Sequence, residues 1–288
     1  GHETTYVQIA SDLLGLPPET FRYVQGDTAT VRAGNGHGGA RSMHMGGTAL
    51  VRTAEIVLRK AEAVAARLLQ ADKVTFANGR FSVVGDPDRH VGLLDVAAAE
   101  NIDTYNWNVS DVITFPNGCH IAEVEVDPAT GHVRILRYTG VDDFGATINP
   151  MLTIGQMHGG LAQGIGQALL EHTVYDADSG QLLSGSLMDY ALPRADDLPD
   201  FDLVLSGTPT NANPLGVKGV GQAGAIAAPQ AIVLAVIDAI GTCGLSSSTN
   251  AVRYAEARRP TTTALVNMRR NRMPIYCLKW PSMSSPRS

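Results

Sequence analysis

A chain of 288 residues, with 44% apolar and 17% charged side chains, has the composition of one large globular domain or two smaller ones. Three widely spaced cysteines exclude a disulfide framework and a CxxC metal site, and they predict a reducing, cytoplasmic compartment. Residues 1–245 carry a formal net charge of −13, which argues against nucleic acid as a partner. We identify no apolar run long enough to span a membrane, so we expect no membrane-spanning segment.

The first part of the chain predicts helices, a strand and a hairpin. Gly15 and the prolines that follow it end the first helix, and apolar spacings of three and four define the second. Asn78-Gly79 is the strongest turn signal in the chain. The predicted elements are a helix at 6–15, a strand at 21–24, a helix at 47–70, a hairpin around residue 78 and a helix at 93–100.

The second part predicts strands and two unusual helices. The elements are strands at 119–126, 133–142 and 201–205, a helix at 155–170 and a buried helix at 225–240. The glycine content of 155–170 requires close packing against a backbone or a ligand. In the last helix, Pro229 suits the first turn and Gly241 the end. We divide the chain into subdomains 1–118 and 119–245 and a basic, irregular tail at 246–288.

Two glycine-rich loops carry the candidate chemistry, and the first spans residues 34–42. It precedes a long helix and contains a guanidinium at Arg41 and a hydroxyl at Ser42. Backbone amides, a cation and a hydroxyl before a helix suit a phosphate or pyrophosphate. A plain linker is the alternative.

The second loop, residues 216–224, has four glycines, one cation at Lys218 and one amide at Gln222. Its glycines formally match a dinucleotide fingerprint. However, no apolar strand precedes the loop and no acidic residue ends a following strand, which argues against a nicotinamide site. No Gly-x-Ser-x-Gly motif for a serine hydrolase occurs.

Five short blocks follow one another in a fixed order along the chain. They are His2-Glu3-Thr4-Thr5 through Gly26-Asp27-Thr28, Gly39-Ala40-Arg41-Ser42, Ile148-Asn149-Pro150, Gly155-Gln156-x-x-Gly159-Gly160 and Gly216-Val217-Lys218-Gly219-Val220-Gly221. Taken together, the order of these blocks resembles the molybdenum hydroxylases, the family of xanthine dehydrogenase, aldehyde oxidase and aerobic carbon monoxide dehydrogenase. The resemblance covers about residues 1–245, and it corresponds to the C-terminal half of the large subunit. It implies an α+β fold with two mixed α/β subdomains.

The resemblance implies a molybdopterin cofactor, in bacteria often a cytosine dinucleotide, whose dithiolene sulfurs hold molybdenum. No protein ligand to the metal is expected. Ala40 occupies a position where the family often has serine, so one hydroxyl donor is missing. The implied cofactor-binding residues are Gly38, Gly39, Ala40, Arg41, Ser42, Gln156, Lys218, Gly219 and Gly221.

The main departure from the family is Gln222, which stands where the family has a glutamate base beside the metal. An amide cannot take up a proton near neutral pH as a carboxylate can. We therefore expect either an oxidase of an aldehyde, an N-heterocycle or carbon monoxide with impaired turnover, or a non-catalytic cofactor-binding or assembly fragment. The resemblance also implies partners: the N-terminal half of the large subunit, an iron-sulfur subunit and an FAD subunit, joined in an oligomeric complex.

Overall fold

A computed structural model describes residues 1–34, 36–107 and 113–242, together with the backbone of 276–278. Helices and sheets alternate irregularly along the chain, which confirms the predicted α+β class. Apart from 276–278, the predicted irregular tail lies outside the described residues. The chain forms two compact units, the first from Gly1–Thr114 and Pro209–Gly219 and the second from Phe115–Thr208 and Val220–Ser288.

The first unit packs two helices and a short third one against a three-stranded antiparallel sheet of order β1-β2-β3. Asn78 and Gly79, both with positive φ, form the predicted hairpin turn between β1 and β2. Phe81 and Val96 are fully buried in the core. The elements are α1 (His2–Leu14), α2 (Thr48–Leu68), β1 (Val74–Ala77), β2 (Arg80–Val83), β3 (Asp86–Gly92) and α3 (Leu93–Ala99).

The predicted strand at residues 21–24 is wrong for the chain as described. Phe21 has extended backbone angles, with φ −95° and ψ 134°, but the segment belongs to neither sheet. A strand is defined by hydrogen bonds to a neighbouring strand, and the sequence pattern reports only the alternation of side chains.

The second unit contains a four-stranded sheet of order β6-β5-β4-β7 that is covered by two helices. The β4–β5 and β4–β7 pairs are antiparallel, whereas β5 and β6 are parallel. Tyr138, Leu161 and Ile232 are fully buried between the sheet and the helices. The elements are β4 (Asn117–Val126), β5 (Val133–Asp143), α4 (Pro150–Leu169), β6 (Phe201–Leu205), α5 (Ala223–Thr242) and β7 (Tyr276–Leu278).

The glycines of α4 allow the backbones of α4 and α5 to touch. A Cβ atom at Gly160 would lie 3.0 Å from the Ala225 nitrogen, and one at Gly224 would lie 2.7 Å from the Met157 oxygen. Neither neighbour is a side chain that could rotate away. The close backbone packing that the glycine content requires is therefore found here.

Helix α5 differs from the prediction in two ways. It begins at Ala223, so Pro229 lies inside the helix and not in its first turn. Proline removes the hydrogen bond to the Ala225 carbonyl, and Gly164 of α4 leaves room beside the proline ring. The stretch Ala223–Gly241 is also long and apolar enough to cross a membrane, contrary to expectation. Half of the most apolar part of that stretch is buried against the protein, as in a core helix.

A buried polar trio joins β4 and β5. The two ring nitrogens of His120 lie 3.0 Å from the Tyr138 hydroxyl and 3.1 Å from the Asp142 carboxylate, and all three side chains are buried. Because buried polar groups need partners, each of the three satisfies another. The trio links the two central strands of the sheet through their side chains.

Candidate functional site

The first glycine loop reaches α2 through two residues in the left-handed region of backbone conformation. Gly39 has φ 78° and Ala40 has φ 54°, and such an angle is uncommon for a residue other than glycine. A π-helical turn, Ser42–Gly47, follows and leads directly into α2. No heavy atom lies within 4 Å of the positions where a Cβ of Gly38 or Gly39 would stand, so this side of the loop is open.

Helix α1 holds this loop in place through Tyr6. The Tyr6 hydroxyl donates a 2.6 Å hydrogen bond to the backbone oxygen of Ser42, and Gly46 lies against the Tyr6 ring. Burial, with a smaller contribution from Tyr23, raises the pKa of Tyr6 to about 12. Tyr6 therefore remains a hydrogen-bond donor at neutral pH.

His44, in the π-helical turn, is a site residue that sequence reasoning missed. It is half-buried, and its Nδ1 atom has no hydrogen-bond partner among the described residues. Burial lowers the pKa of His44 more than its hydrogen bond to the Ala40 backbone raises it, and Arg41 lowers it further. Because the neutral ring donates its one N–H to the Ala40 backbone, its Nδ1 atom is left as a hydrogen-bond acceptor for a ligand. Its position one turn beyond Arg41 was the only available signal.

The second glycine loop is fixed at two points within the first unit. The Asn213 side chain donates to the Val217 oxygen over 2.8 Å and accepts from the Val217 nitrogen over 3.2 Å. The Gly219 nitrogen donates to the buried Thr114 hydroxyl over 3.3 Å. A Cβ at Gly219 would lie only 2.6 Å from the Ala40 Cβ, so the two glycine loops are in contact.

The predicted cofactor-binding residues of the first unit are thus brought together. Ala40 and Gly219 touch, and each is flanked in sequence by a cation, Arg41 and Lys218. Both cationic side chains are partly exposed. The arrangement can bind an anion with two positive charges and with the amides of an open loop.

In the second unit, Gln156 and Gly221 are brought together. The Gln156 side-chain nitrogen donates a 2.7 Å hydrogen bond to the Gly221 oxygen. This bond leaves the Gln156 side-chain oxygen free to accept a hydrogen bond from a ligand. Gly155 and Gly159, on the same helix, face open space.

Gln222 stands directly before α5 and is exposed. Its backbone oxygen accepts a hydrogen bond from the Ile226 nitrogen, which begins the helix. Its side-chain amide forms no hydrogen bond with another described residue. The side chain is therefore available to a ligand.

Within the described ranges, no group of three or more His, Cys, Asp or Glu side chains could hold a metal ion. A metal that is carried by an organic cofactor needs no such group. The residues fit an organic anion instead, because glycines 38 and 39 leave open space beside two cations. A buried His44 nitrogen, which has no partner among the described residues, can accept a hydrogen bond from a polar group of the same ligand.

Comparison with known families shows which family the chain belongs to. Residues 1–199, more than half of the chain, match the model of the molybdopterin cofactor-binding domain. The chain belongs to this family. The resemblance to molybdenum hydroxylases that was drawn from the sequence is thereby confirmed.

Individual relatives agree with this assignment. The chain is 35% identical over 259 residues to the nicotine 6-hydroxylase large subunit of Paenarthrobacter nicotinovorans, an alignment that covers 85% of this chain and 32% of that protein. It is 33% identical over 258 residues to the carbon monoxide dehydrogenase large chain of Hydrogenophaga pseudoflava, with the same coverage. The crystal structure of quinoline 2-oxidoreductase from Pseudomonas putida 86 superposes with a TM-score of 0.75, at 34% identity, over 90% of this chain and 35% of that one.

These values show a molybdopterin-binding domain of the molybdenum hydroxylase type. The chain spans about a third of the length of the large subunits that it matches.

Proposed function

We propose that this chain is the C-terminal, cofactor-binding portion of a molybdenum hydroxylase large subunit that oxidises an aldehyde, an N-heterocycle or carbon monoxide with water as the oxygen source. The contact between the two glycine loops, at Ala40 and Gly219, is the observation that carries the proposal. It places two cations and an open backbone in one unit, as a phosphorylated cofactor requires.

Each residue of the first unit has a proposed role toward the cofactor. The amides of Gly38, Gly39 and Ala40 bind its phosphate, with Arg41 as the charged partner and Ser42 as the hydroxyl donor. Gly219 lets the second loop approach Ala40, and Lys218 adds a second positive charge. A dinucleotide form, with two phosphates, suits two cations better than the simple pterin, so we propose the cytosine dinucleotide.

In the second unit, Gln156 and Gly221 form the proposed pterin contact. The hydrogen bond between them fixes the orientation of the Gln156 amide, whose remaining donor and acceptor can pair with the edge of a heterocycle. When bound, the cofactor supplies the molybdenum that accepts electrons from the substrate.

Gln222 is the residue at the proposed catalytic position. Its exposed amide can donate a hydrogen bond to a group beside the metal and can orient that group, but it cannot remove a proton. Loss of a positioned base costs about a hundredfold to ten-thousandfold in rate. Slow turnover is therefore expected with Gln222 in place, although the cofactor still binds.

A second candidate function follows from the same residue. A chain that binds the cofactor without a base could serve as a non-catalytic binding or assembly subunit. The two candidates predict different effects of a carboxylate at position 222. It would raise the turnover of an enzyme, and it would leave turnover unchanged in a complex where this chain is only an assembly subunit.

The test is the Gln222→Glu variant, in the assembled enzyme, with molybdenum and pterin measured before activity. Dye reduction is then followed with several aldehydes, purines and carbon monoxide. We expect equal cofactor content in both proteins and at least about a hundredfold faster turnover in the variant. Equal turnover with full cofactor would favour the assembly subunit, and absence of pterin from both proteins would refute the proposed function.

We further propose that electrons leave through partners. Relatives bear names of large subunits or chains of multi-subunit enzymes. An iron-sulfur subunit and an FAD subunit, the N-terminal half of the large subunit and a cytoplasmic location complete the proposal.

A further inference from the structure

Two of the three cysteines meet across the sheet of the second unit. Strand β7 pairs antiparallel with β4, and the register places Cys277 directly opposite Cys119. The residue pairs on either side keep the same register, so the pairing is regular over the whole of β7. The two cysteines are 158 positions apart in sequence. Their spacing therefore gives no sign of this relation, which arises only from the pairing of the strands.

The backbone register at these two positions meets the distance requirement of a disulfide. Directly opposite residues of an antiparallel pair share one face of the sheet, with both their Cα atoms and their Cβ atoms about 4.5 to 5.5 Å apart. A disulfide joins residues whose Cα atoms are about 4.4 to 6.8 Å apart and whose Cβ atoms are about 3.5 to 4.5 Å apart. The two ranges meet, so the bond needs little movement of either strand.

The face of the sheet that carries Cys119 is the face away from helices α4 and α5. Side chains alternate along a strand, and the neighbouring His120 is buried against Tyr138, a member of the core under those helices. Val141, which lies opposite Cys119 on β5, is 41% exposed. Cys119 itself is a partly exposed thiol. A small oxidant in solution can therefore reach it.

We infer that Cys119 and Cys277 form a disulfide when the chain meets a low-molecular-weight disulfide such as glutathione disulfide, and that this bond fastens the basic C-terminal tail to the central strand β4. Under reducing conditions both residues remain thiols, so the pair is a redox-controlled link. Neither cysteine is among the proposed cofactor-binding residues. The inference is therefore independent of the proposed function, and its test needs no cofactor.

The bond forms by two thiol–disulfide exchanges. The thiolate of Cys119 attacks one sulfur of glutathione disulfide, which breaks that S–S bond, releases one glutathione and leaves a mixed disulfide on Cys119. The thiolate of Cys277 then attacks the Cys119 sulfur and releases the second glutathione. Each released glutathione takes up one proton in place of the one that each cysteine gave up. Two protein thiols are thus oxidised, and one glutathione disulfide is reduced to two thiols.

Peptide mapping of the 288-residue chain identifies the bond. The folded chain is incubated with glutathione disulfide, the remaining thiols are blocked by alkylation, and the protein is digested with trypsin without reduction. We expect peptides 90–134 and 273–279 to be joined, with a mass two hydrogens below the sum of the two. A folded chain in which Cys119 and Cys277 carry only blocked thiols or separate glutathione adducts would overturn the inference.

The same reaction in concentrated urea shows whether folding brings the pair together. Cys243 and Cys277 are only 34 positions apart, so loop closure in the unfolded chain favours their bond about tenfold over the bond between Cys119 and Cys277. We expect the folded chain to reverse this preference. If the bond between Cys243 and Cys277 predominates in the folded chain as well, strand pairing does not select the partner and the inference fails.

Serine variants test the second exchange in a Cys243→Ser background, which leaves the proposed pair intact. Adding Cys277→Ser removes the thiol that resolves the mixed disulfide. We therefore expect the glutathione adduct on Cys119 to accumulate in the double variant and to be replaced by the internal bond in the single variant. Equal amounts of the adduct in the two variants would show that Cys277 takes no part.

Thermal unfolding of the Cys243→Ser chain tests whether the bond fastens the tail to the native sheet. The bond closes a long loop that includes most of the second unit, so we expect oxidation to raise the unfolding midpoint by about 5 °C or more. Reduction should reverse the shift, and the double variant should show none. An oxidised, internally bonded chain that unfolds at the same temperature as the reduced chain would refute the fastening.

Discussion

Replacing Gly219 with alanine tests the contact between the two glycine loops. The new Cβ would lie 2.6 Å from the Ala40 Cβ and 3.0 Å from the Ala40 oxygen. Ordinary contacts between carbon atoms are about 3.5 to 4.0 Å, so the shortfall is about 1 Å. Because the obstacle is backbone and a Cβ, no rotamer relieves it. Overpacking of this kind costs about 1 to 3 kcal/mol, and we expect the second loop to move away from the first.

Two measurements check this expectation. Urea unfolding of the chain gives the loss of stability, and the molybdenum and pterin content of the assembled enzyme gives the loss of cofactor. Gly34→Ala is the matched control, since it adds the same methyl group where no heavy atom lies within 4 Å and Gly34 is not one of the proposed cofactor-binding residues. If Gly219→Ala unfolds at the same urea concentration as Gly34→Ala and keeps its cofactor, the loop contact does not organise the site.

Two further predictions concern stability. Gly159→Ala should stabilise the chain by about 0.5 to 1 kcal/mol through helix propensity, because its Cβ meets nothing within 4 Å. Gly224→Ala should destabilise the chain by about 1 to 3 kcal/mol, because its Cβ would press against the Met157 backbone. Thermal unfolding of both variants measures the two changes, and a change of the same sign in both would contradict the packing of α4 against α5. The pKa of Tyr6 is raised from 10.0 to about 12, so stability should fall between those pH values, where only the unfolded state ionises. Tyr6→Phe should reduce this alkaline slope of the unfolding midpoint, and an unchanged slope would count against the buried, neutral hydroxyl.

Local patterns were sufficient for most of the secondary structure. The spacing of apolar residues placed α2 within two residues of its observed ends, and Asn78-Gly79 fixed the hairpin, because both signals arise from neighbours in sequence. The start of α5 was misplaced for the same reason. Its proline looked like a first-turn residue, and only the close approach of Gly164 in α4 explains how it is accommodated inside the helix.

Contacts between distant residues could not be predicted in this way. The approach of Gly219 to Ala40 and the hydrogen bond from the Gly219 nitrogen to the Thr114 hydroxyl join residues far apart in sequence, so both depend on the tertiary fold. His44 carried no motif, and its unsatisfied nitrogen becomes visible only when its surroundings are known. The order of short blocks along the chain nevertheless led to the family, because five blocks in sequence are more specific than any one of them.

The most direct test of the account is the cofactor content of the assembled enzyme that contains this chain. Molybdenum is measured by mass spectrometry of the metal, and the pterin by fluorescence of its oxidised form after release. The account predicts one molybdenum and one molybdopterin for each copy of the chain, with Gln222 in place. A folded, assembled protein that contains neither would contradict it.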